Sequence, residues 1–157
     1  MAKKRTLILL RHAHRDTGLG RDRDNGLSEK GNEQARAFRD YFLKSYDAKP
    51  FLLSSPKKRC RQSLEPLADK IASPPEVDKL LDEQSDTESF DALERRVEIF
   101  QTWMEETQHP LVIACSHGDW IPIFADKAIS QPLSLKKGAW FTFEINSKKK
   151  WKLISSH

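Results

Sequence analysis

Leu7-Ile8-Leu9-Leu10-Arg11-His12-Ala13 is the stretch that decides the fold of this chain. Four apolar residues in a row stop at an arginine and a histidine. A short run that is apolar on both faces is the pattern of a central parallel strand covered by helices above and below. The pattern recurs at Leu111-Val112-Ile113-Ala114-Cys115-Ser116-His117-Gly118, where a second buried run again delivers a histidine. In open α/β sheets ligands collect where strands end and the chain turns into loops and helices. Two histidines and an arginine brought to that edge suit an anion and include a nucleophile.

Outward from these strands, helix and strand patterns alternate. Gly18 to Gly26 reads as a polar loop. Ser28 is placed to cap a helix along which Ala35, Phe38 and Phe42 repeat at helical spacing. Phe51-Leu52-Leu53 predicts a short strand, and Ser55 with Pro56 predicts a capped start for the next helix. That helix carries Cys60, Leu64, Leu67 and Ile71 on one face and stops at Ser73-Pro74-Pro75. Val77 to Leu81 is expected to be extended, and Asp82 to Glu88 is an acidic loop. Ser89 to Gln108 predicts the longest helix, with Phe90, Leu93, Val97, Phe100 and Met104 as its apolar stripe. A helix over Trp120 to Ala128 follows the second long strand. Ala139 to Ile145 and Trp151 to Ser155 predict an antiparallel pair. The fold expected is α/β: a three-layer sandwich around a mostly parallel central sheet with an antiparallel edge.

The chain has 157 residues, which predicts one domain over 1–157 with a sizeable core. Its 38% hydrophobic and 32% charged residues describe a highly charged globular protein. The net charge of +4 suits a phosphate-bearing substrate but is too small to argue for nucleic acid. The basic clusters Lys3-Lys4-Arg5, Lys57-Lys58-Arg59, Lys136-Lys137 and Lys148-Lys149-Lys150 read as solvated turns and a hairpin tip, with Arg59 excepted. The apolar run from Leu7 to Leu10 is too short for a signal peptide, and no segment is long enough to cross a bilayer. Cys60 and Cys115 do not make a disulfide framework, so free thiols and a cytoplasmic location are expected.

Three junctions carry residues with chemical promise. The first delivers Arg11 and His12, the second Lys57, Lys58, Arg59 and Arg61, the third His117 and Gly118. In one parallel sheet all three open on the same edge, together with helix N-termini. There a phosphoryl group meets arginine forks, imidazoles and backbone donors. Neutral imidazole has a free nitrogen lone pair, so it can be a nucleophile as well as a base. A phosphorylated imidazole is in turn a good leaving group. Arginines can neutralise the transferred phosphoryl without a metal. A lone histidine at a strand end is more often structural, and it is the matching of the three junctions that favours a site.

Other reactions fail on particular residues. A cysteine phosphatase needs an arginine six positions after its cysteine, where Cys60 has Pro66 and Cys115 has Ile121. A P-loop needs a lysine after its second loop glycine, and Gly18 to Gly26 has none there. His12, His14 and His117 lack the accompanying carboxylates of a zinc hydrolase, and Arg11 beside His12 disfavours a cation.

Leu9-Leu10-Arg11-His12-Ala13 resembles the signature of the histidine phosphatase superfamily, which includes the phosphoglycerate mutases and the short bacterial phosphohistidine phosphatases. Three further segments agree in order: Leu27-Ser28-Glu29-Lys30-Gly31 with Gln34-Ala35, Ser54-Ser55-Pro56 with Arg59-Cys60-Arg61-Gln62-Ser63, and Ser116-His117-Gly118. The resemblance implies a phosphoglycerate mutase-like fold, phosphorylation of His12, and phosphoryl binding by Arg11, Arg59 and His117, with no cofactor and no metal. Arg59 rather than Arg61 matches the motif, which leaves Arg61 at the surface or the rim. Ser54 or Ser55 is available to donate a further bond, although capping alone explains a serine there. Leu81-Asp82-Glu83 resembles the segment carrying the proton donor, which puts Glu83 first, with Asp82, Asp86 and Glu88 as rivals.

After His12 the chain reads Ala13-His14-Arg15-Asp16, where many mutases have glycine, glutamate and serine. Insertions that build a substrate lid are also missing. An open pocket, with His14 and Arg15 at its rim, would admit phosphohistidine in a protein partner or small phosphomonoesters. The expected partner is therefore a phosphorylated substrate, without nucleic acid or membrane, in a monomer or weak dimer. The alternative is a pseudo-phosphatase that binds phosphate as a scaffold, against which the intact Arg11, His12, Arg59 and His117 speak.

Overall fold

Both apolar runs are strands, and they lie side by side. The computed structural model describes residues 4–157. β1 (Arg5–Arg11) pairs in parallel with β4 (Leu111–Ser116), with Thr6 opposite Leu111 and Arg11 opposite Ser116. β2 (Phe51–Ser54) pairs in parallel with the other edge of β4 and with β3 (Glu76–Val77). β5 (Trp140–Ile145) runs antiparallel beside β1 and pairs with β6 (Trp151–Ser156). The six-stranded order is β3-β2-β4-β1-β5-β6, a mixed sheet, mostly parallel with an antiparallel edge.

Alternation along β1 builds two cores. Leu7 and Leu9 face one side, with Phe100 and Met104 of α3 (Phe90–Glu106) and Phe124 of α4 (Ile121–Ile129). Ile8 and Leu10 face the other, with Phe38 and Phe42 of α1 (Glu29–Ser45) and Leu64 and Leu67 of α2 (Lys58–Ile71). Each strand end is therefore clamped between helices, and residues just past it are held by a packed interior. Among the described residues no helix is long and apolar enough to cross a membrane.

Several sequence expectations need correction. Ser55 does not cap α2: the helix begins at Lys58 with Lys57 as N-cap and no side-chain cap bond. The segment from Val77 to Leu81 is not a strand. β3 stops at Val77 because the Asp78 carboxylate accepts from Leu80 N–H (2.9 Å) and starts a 3₁₀ turn at Lys79–Leu81. α3 starts one residue after its cap, Ser89, whose side chain accepts from Ala92 N–H. It matches α1 at 17 residues rather than exceeding it. Phe90, first in the predicted stripe, is 56% exposed because it sits on the open first turn. Of the basic start, Lys3 lies outside the described residues, and Arg5 belongs to β1, donating to the Thr107 carbonyl (3.0 Å).

Candidate active site

The parallel pairing of β1 and β4 puts the two histidines together. His12 N–H donates to the Ser116 carbonyl (3.0 Å), and the His12 and His117 rings lie 5.3 Å apart between centroids. β2 ends at the same level, where Ser55 N–H donates to the Cys115 carbonyl (3.1 Å). The first turn of α2 then inserts Arg59, which is 3% exposed. Ser63, one turn on, fastens this helix to β1: its hydroxyl accepts from Ala13 N–H (2.8 Å) and donates to the Arg59 carbonyl (2.7 Å).

Arg11, His12, Arg59, Glu83 and His117 line a single cavity of about 430 Å³. Arg59 Nη2 donates to Glu83 Oε2 (2.6 Å) and lies 3.5 Å from His117 Nδ1. Arg11 donates to the Leu135 carbonyl (2.8 Å) and lies across Gly118, where an added Cβ would stand 2.7 Å from its guanidinium carbon. Arg11 Nε and Arg59 Nε are buried without a partner. Orphaned buried donors are expensive, so two of them on arginines around one cavity point to an anion that completes the site.

The two rings present different nitrogens. His12 Nδ1–H donates to the Ala13 carbonyl (2.8 Å), which leaves Nε2 with the lone pair. His117 Nε2 instead meets Ser55 Oγ (2.7 Å), and Nδ1 lies on the side of Arg59 and Glu83. Burial first, then the Arg59, Arg11 and Lys137 charges, hold His12 down at about 4, against the pull of its bond to Ala13. His117 falls to about 2, first by burial, then through Arg59, His12, Lys57 and Arg11. Both imidazoles are therefore neutral at pH 7 in the free protein.

The acidic rivals separate. Glu83 faces the cavity. Asp82 lies behind His117, accepting from Glu83 N–H (2.8 Å) with Oδ1 3.8 Å from His117 Nε2. Asp86 lines an adjoining cavity of about 440 Å³ that shares Arg15, Arg21, Arg59 and Glu83 with the first. Glu88 is committed elsewhere, gripped by Arg96 Nε and Nη2 at 2.7 and 2.8 Å. Arg15 reaches the rim, whereas His14 turns its Nδ1 to the Ser28 hydroxyl (2.6 Å) at the cap of α1. Arg61 is exposed and outside the cavity. Among the described residues, no three His, Cys, Asp or Glu side chains are grouped as a metal site would need. Cys60 and Cys115 are free and buried.

Sequence reasoning missed Arg21, Asp119 and Lys137, which also line the cavity. Lys137, taken for a solvated turn, comes from the connection after α4, and that connection is strapped to β1. Gly138 N–H donates to the Arg11 and His12 carbonyls (3.2 and 3.1 Å), Arg11 N–H to the Ala139 carbonyl (3.0 Å), and Gln34 Nε2 to the Lys137 carbonyl (3.2 Å). Gly138 has φ +80°, a conformation suited to glycine, and this was the available sequence signal. Burial lowers Lys137 from its ordinary value, with Arg11, Arg21, Arg15 and Arg59 adding to the effect.

The comparisons with known proteins bear on the family and the fold. The family model described as histidine phosphatase superfamily (branch 1) matches residues 7–86, which hold His12, Arg59 and Glu83 but not His117. Among solved structures the chain is similar to the alpha-ribazole phosphatase from Shigella flexneri, at 18% identity and a TM-score of 0.82, covering 95% of this chain and 94% of that one. It is also similar to the protein histidine phosphatase SixA complexed with tungstate (17% identity, TM-score 0.75, covering 96% and 95%). A third is the mycobacterial glucosyl-3-phosphoglycerate phosphatase (18% identity, TM-score 0.74, covering 96% and 97%). No curated protein sequence matches significantly. With more than half of its length matched and its sheet order and strand-end histidines as described, this chain belongs to the histidine phosphatase superfamily, branch 1.

Proposed function

We propose that this phosphatase hydrolyses its substrate without a metal, through a phosphohistidine at His12. The observation that carries this is the pairing of a neutral His12, its Nδ1–H held by Ala13, with two arginines whose buried Nε atoms lack partners. His12 Nε2 attacks phosphorus as the bond to the leaving oxygen or nitrogen breaks. Water then attacks the phosphohistidine, releasing phosphate and returning the electron pair to Nε2. Arg11 and Arg59 neutralise the equatorial oxygens in both steps.

Glu83 is the residue we assign to proton transfer at the leaving group, with its carboxylate held 2.6 Å from Arg59 in the resting site. Asp119, on the same cavity wall, also accepts from Gln84 N–H (2.9 Å), so it orders the Glu83 loop. A dianion about 4 Å from the His117 ring favours a proton there by roughly 8 kcal/mol at an effective dielectric near 20. Protonating a group of pKa about 2 at pH 7 costs roughly 7 kcal/mol. The two are of the same order, so the arriving phosphoryl offsets the cost of a proton on His117.

The substrate class we favour is phosphohistidine in a protein partner, ahead of small phosphomonoesters. Its support is the open cavity, its continuation into a second cavity of mixed charge, and a Glu83 tied to Arg59, which suits a leaving group needing little protonation. The test is hydrolysis, with a chelator present, of a phosphohistidine-bearing carrier domain against a panel of sugar, nucleotide and aryl phosphates. Activity lost to the chelator sinks the metal-free mechanism. One small ester turned over orders of magnitude faster than the carrier domain sinks the protein substrate.

A further inference from the structure

The serine that fails to cap α2 has other partners. Ser55 is fully buried, and its hydroxyl lies 2.7 Å from His117 Nε2 and 3.5 Å from Asp82 Oδ1, and accepts from Lys57 N–H at 3.3 Å. A hydroxyl has one proton and two lone pairs. Lys57 N–H takes one lone pair. The Asp82 carboxylate only accepts, so it takes the proton. The remaining lone pair is left for Nε2, which therefore carries a hydrogen. The opposite side of the ring agrees. Nδ1 faces Arg59 Nη2 at 3.5 Å, a guanidinium that donates and never accepts, and the acceptor on that side, Glu83 Oε2 at 3.7 Å, is already held by Arg59 at 2.6 Å, which favours a bare Nδ1 on the neutral ring.

A bare Nδ1 on the cavity side opposes a phosphoryl oxygen until it is protonated. The groups facing His117 are His12 and Arg11 from the end of β1, Arg59 and Cys60 from α2, Lys57 from the turn before it, and Glu83 and Asp82 from the loop after the 3₁₀ turn. Cys60 Sγ, 3.5 Å from Nε2, donates to the Ser116 carbonyl (3.6 Å). Among the described residues, the one anion on the Nε2 side is Asp82, 3.8 Å away and linked through Ser55.

We propose that Ser55 and Asp82 are positioning residues for His117, holding its Nε2–H and supplying the countercharge that lets Nδ1 take a proton when a phosphoryl group enters. The proton comes from solvent, Nε2 keeps its own, and the imidazolium then donates to the anion. When phosphate leaves, the Nδ1 proton returns to solvent. This rests on the cavity being the phosphoryl site proposed above.

The experiment uses the whole chain with inorganic sulfate, which stays dianionic from pH 5 to 8, so any proton taken up belongs to the protein. Long-range nitrogen-proton NMR, assigned residue by residue because His12 also faces the anion, reads the state of each ring. Free His117 shows the Nε2–H tautomer, and with sulfate at pH 7 it shows the doubly protonated pattern. Sulfate affinity rises toward about tenfold per pH unit lowered, as uptake of one proton requires. Ser55→Ala mixes the His117 tautomers and weakens sulfate about tenfold, while Ser55→Thr restores the wild-type signature. Asp82→Asn, on a partly exposed residue, keeps sulfate binding but flattens the pH slope. An Nδ1–H tautomer in the free protein, or a slope unchanged in Asp82→Asn, overturns the proposal alone. Wild-type protein that fails to bind sulfate overturns the phosphoryl site and this proposal together.

Discussion

The ends of β1 and β4 are the same structure twice and two different pieces of chemistry. Each is a buried parallel strand, Arg11 stands opposite Ser116, and each hands a histidine to one cavity. The difference is the atom behind each ring. A backbone carbonyl behind His12 fixes a hydrogen on Nδ1 and leaves Nε2 free to attack. A serine hydroxyl behind His117, backed by a carboxylate, fixes the opposite nitrogen. Position in the sheet decides which residues meet, and the partner behind each ring decides which nitrogen it presents to the cavity.

Breaking the two histidines separately should give unequal losses. His12→Ala removes the nucleophile and should lower kcat by at least about 10⁴-fold, with no trapped phosphoenzyme. Full activity in that variant breaks the asymmetry outright. His117→Ala removes a donor to the phosphoryl and should cost about 10²–10³-fold, with the phosphoenzyme still forming. Rapid-quench labelling with radioactive substrate separates the two. Equal losses with no intermediate in either variant would erase the distinction.

Acid stability sharpens the same comparison. Both histidines are neutral in the folded protein down to about 4 for His12 and about 2 for His117, whereas the unfolded chain takes up protons near the ordinary histidine value of 6.5. The unfolded state therefore binds more protons below that value. Stability is fully present above about pH 6.5 and is lost as pH falls toward 4. His12 alone should contribute roughly 3 kcal/mol to that loss. Denaturant titrations from pH 7 to 4 should show it, with a shallower slope in His12→Asn and His117→Gln. A slope unchanged in both variants contradicts the burial account.

The smallest expected effect belongs to Glu83, which stands on the His117 side of the cavity, 3.7 Å from Nδ1. Glu83→Gln should slow hydrolysis of alkyl phosphates by about 10²-fold and of a phosphoramidate by under tenfold, because an imidazole leaving group needs less protonation. Steady-state kcat on both substrates checks this, and equal losses would remove Glu83 from proton transfer.

Arg11, His12 and His117 were legible because each follows an apolar run that stops, whereas Arg59 was separated from Arg61 by the family resemblance. The mostly parallel sheet with its antiparallel edge follows from the same runs, but its strand order does not. Ser55 was misread because a serine before proline has a local explanation, and its real partners, His117 and Asp82, come from distant parts of the chain. Arg21 and Lys137 were illegible for a related reason: both sit on polar connections, where composition is the same whether the side chain faces solvent or a cavity. Glu88 stayed a rival until Arg96 was seen gripping it. The short β3 was overextended because a single side chain, Asp78, ends it.

The strap over β1 has a dynamic consequence. Loops ordinarily fray first, exchanging their amide hydrogens long before the core does. Here the Gly138 amide is held by the carbonyls of Arg11 at the end of β1 and His12 just past it, and the Arg11 amide and side chain reach back to Ala139 and Leu135. The wall bearing Lys137 therefore cannot peel away while β1 stays intact. Hydrogen exchange at Gly138 belongs with the slow amides of the sheet, and the phosphoryl pocket and its wall open as one cooperative unit or not at all.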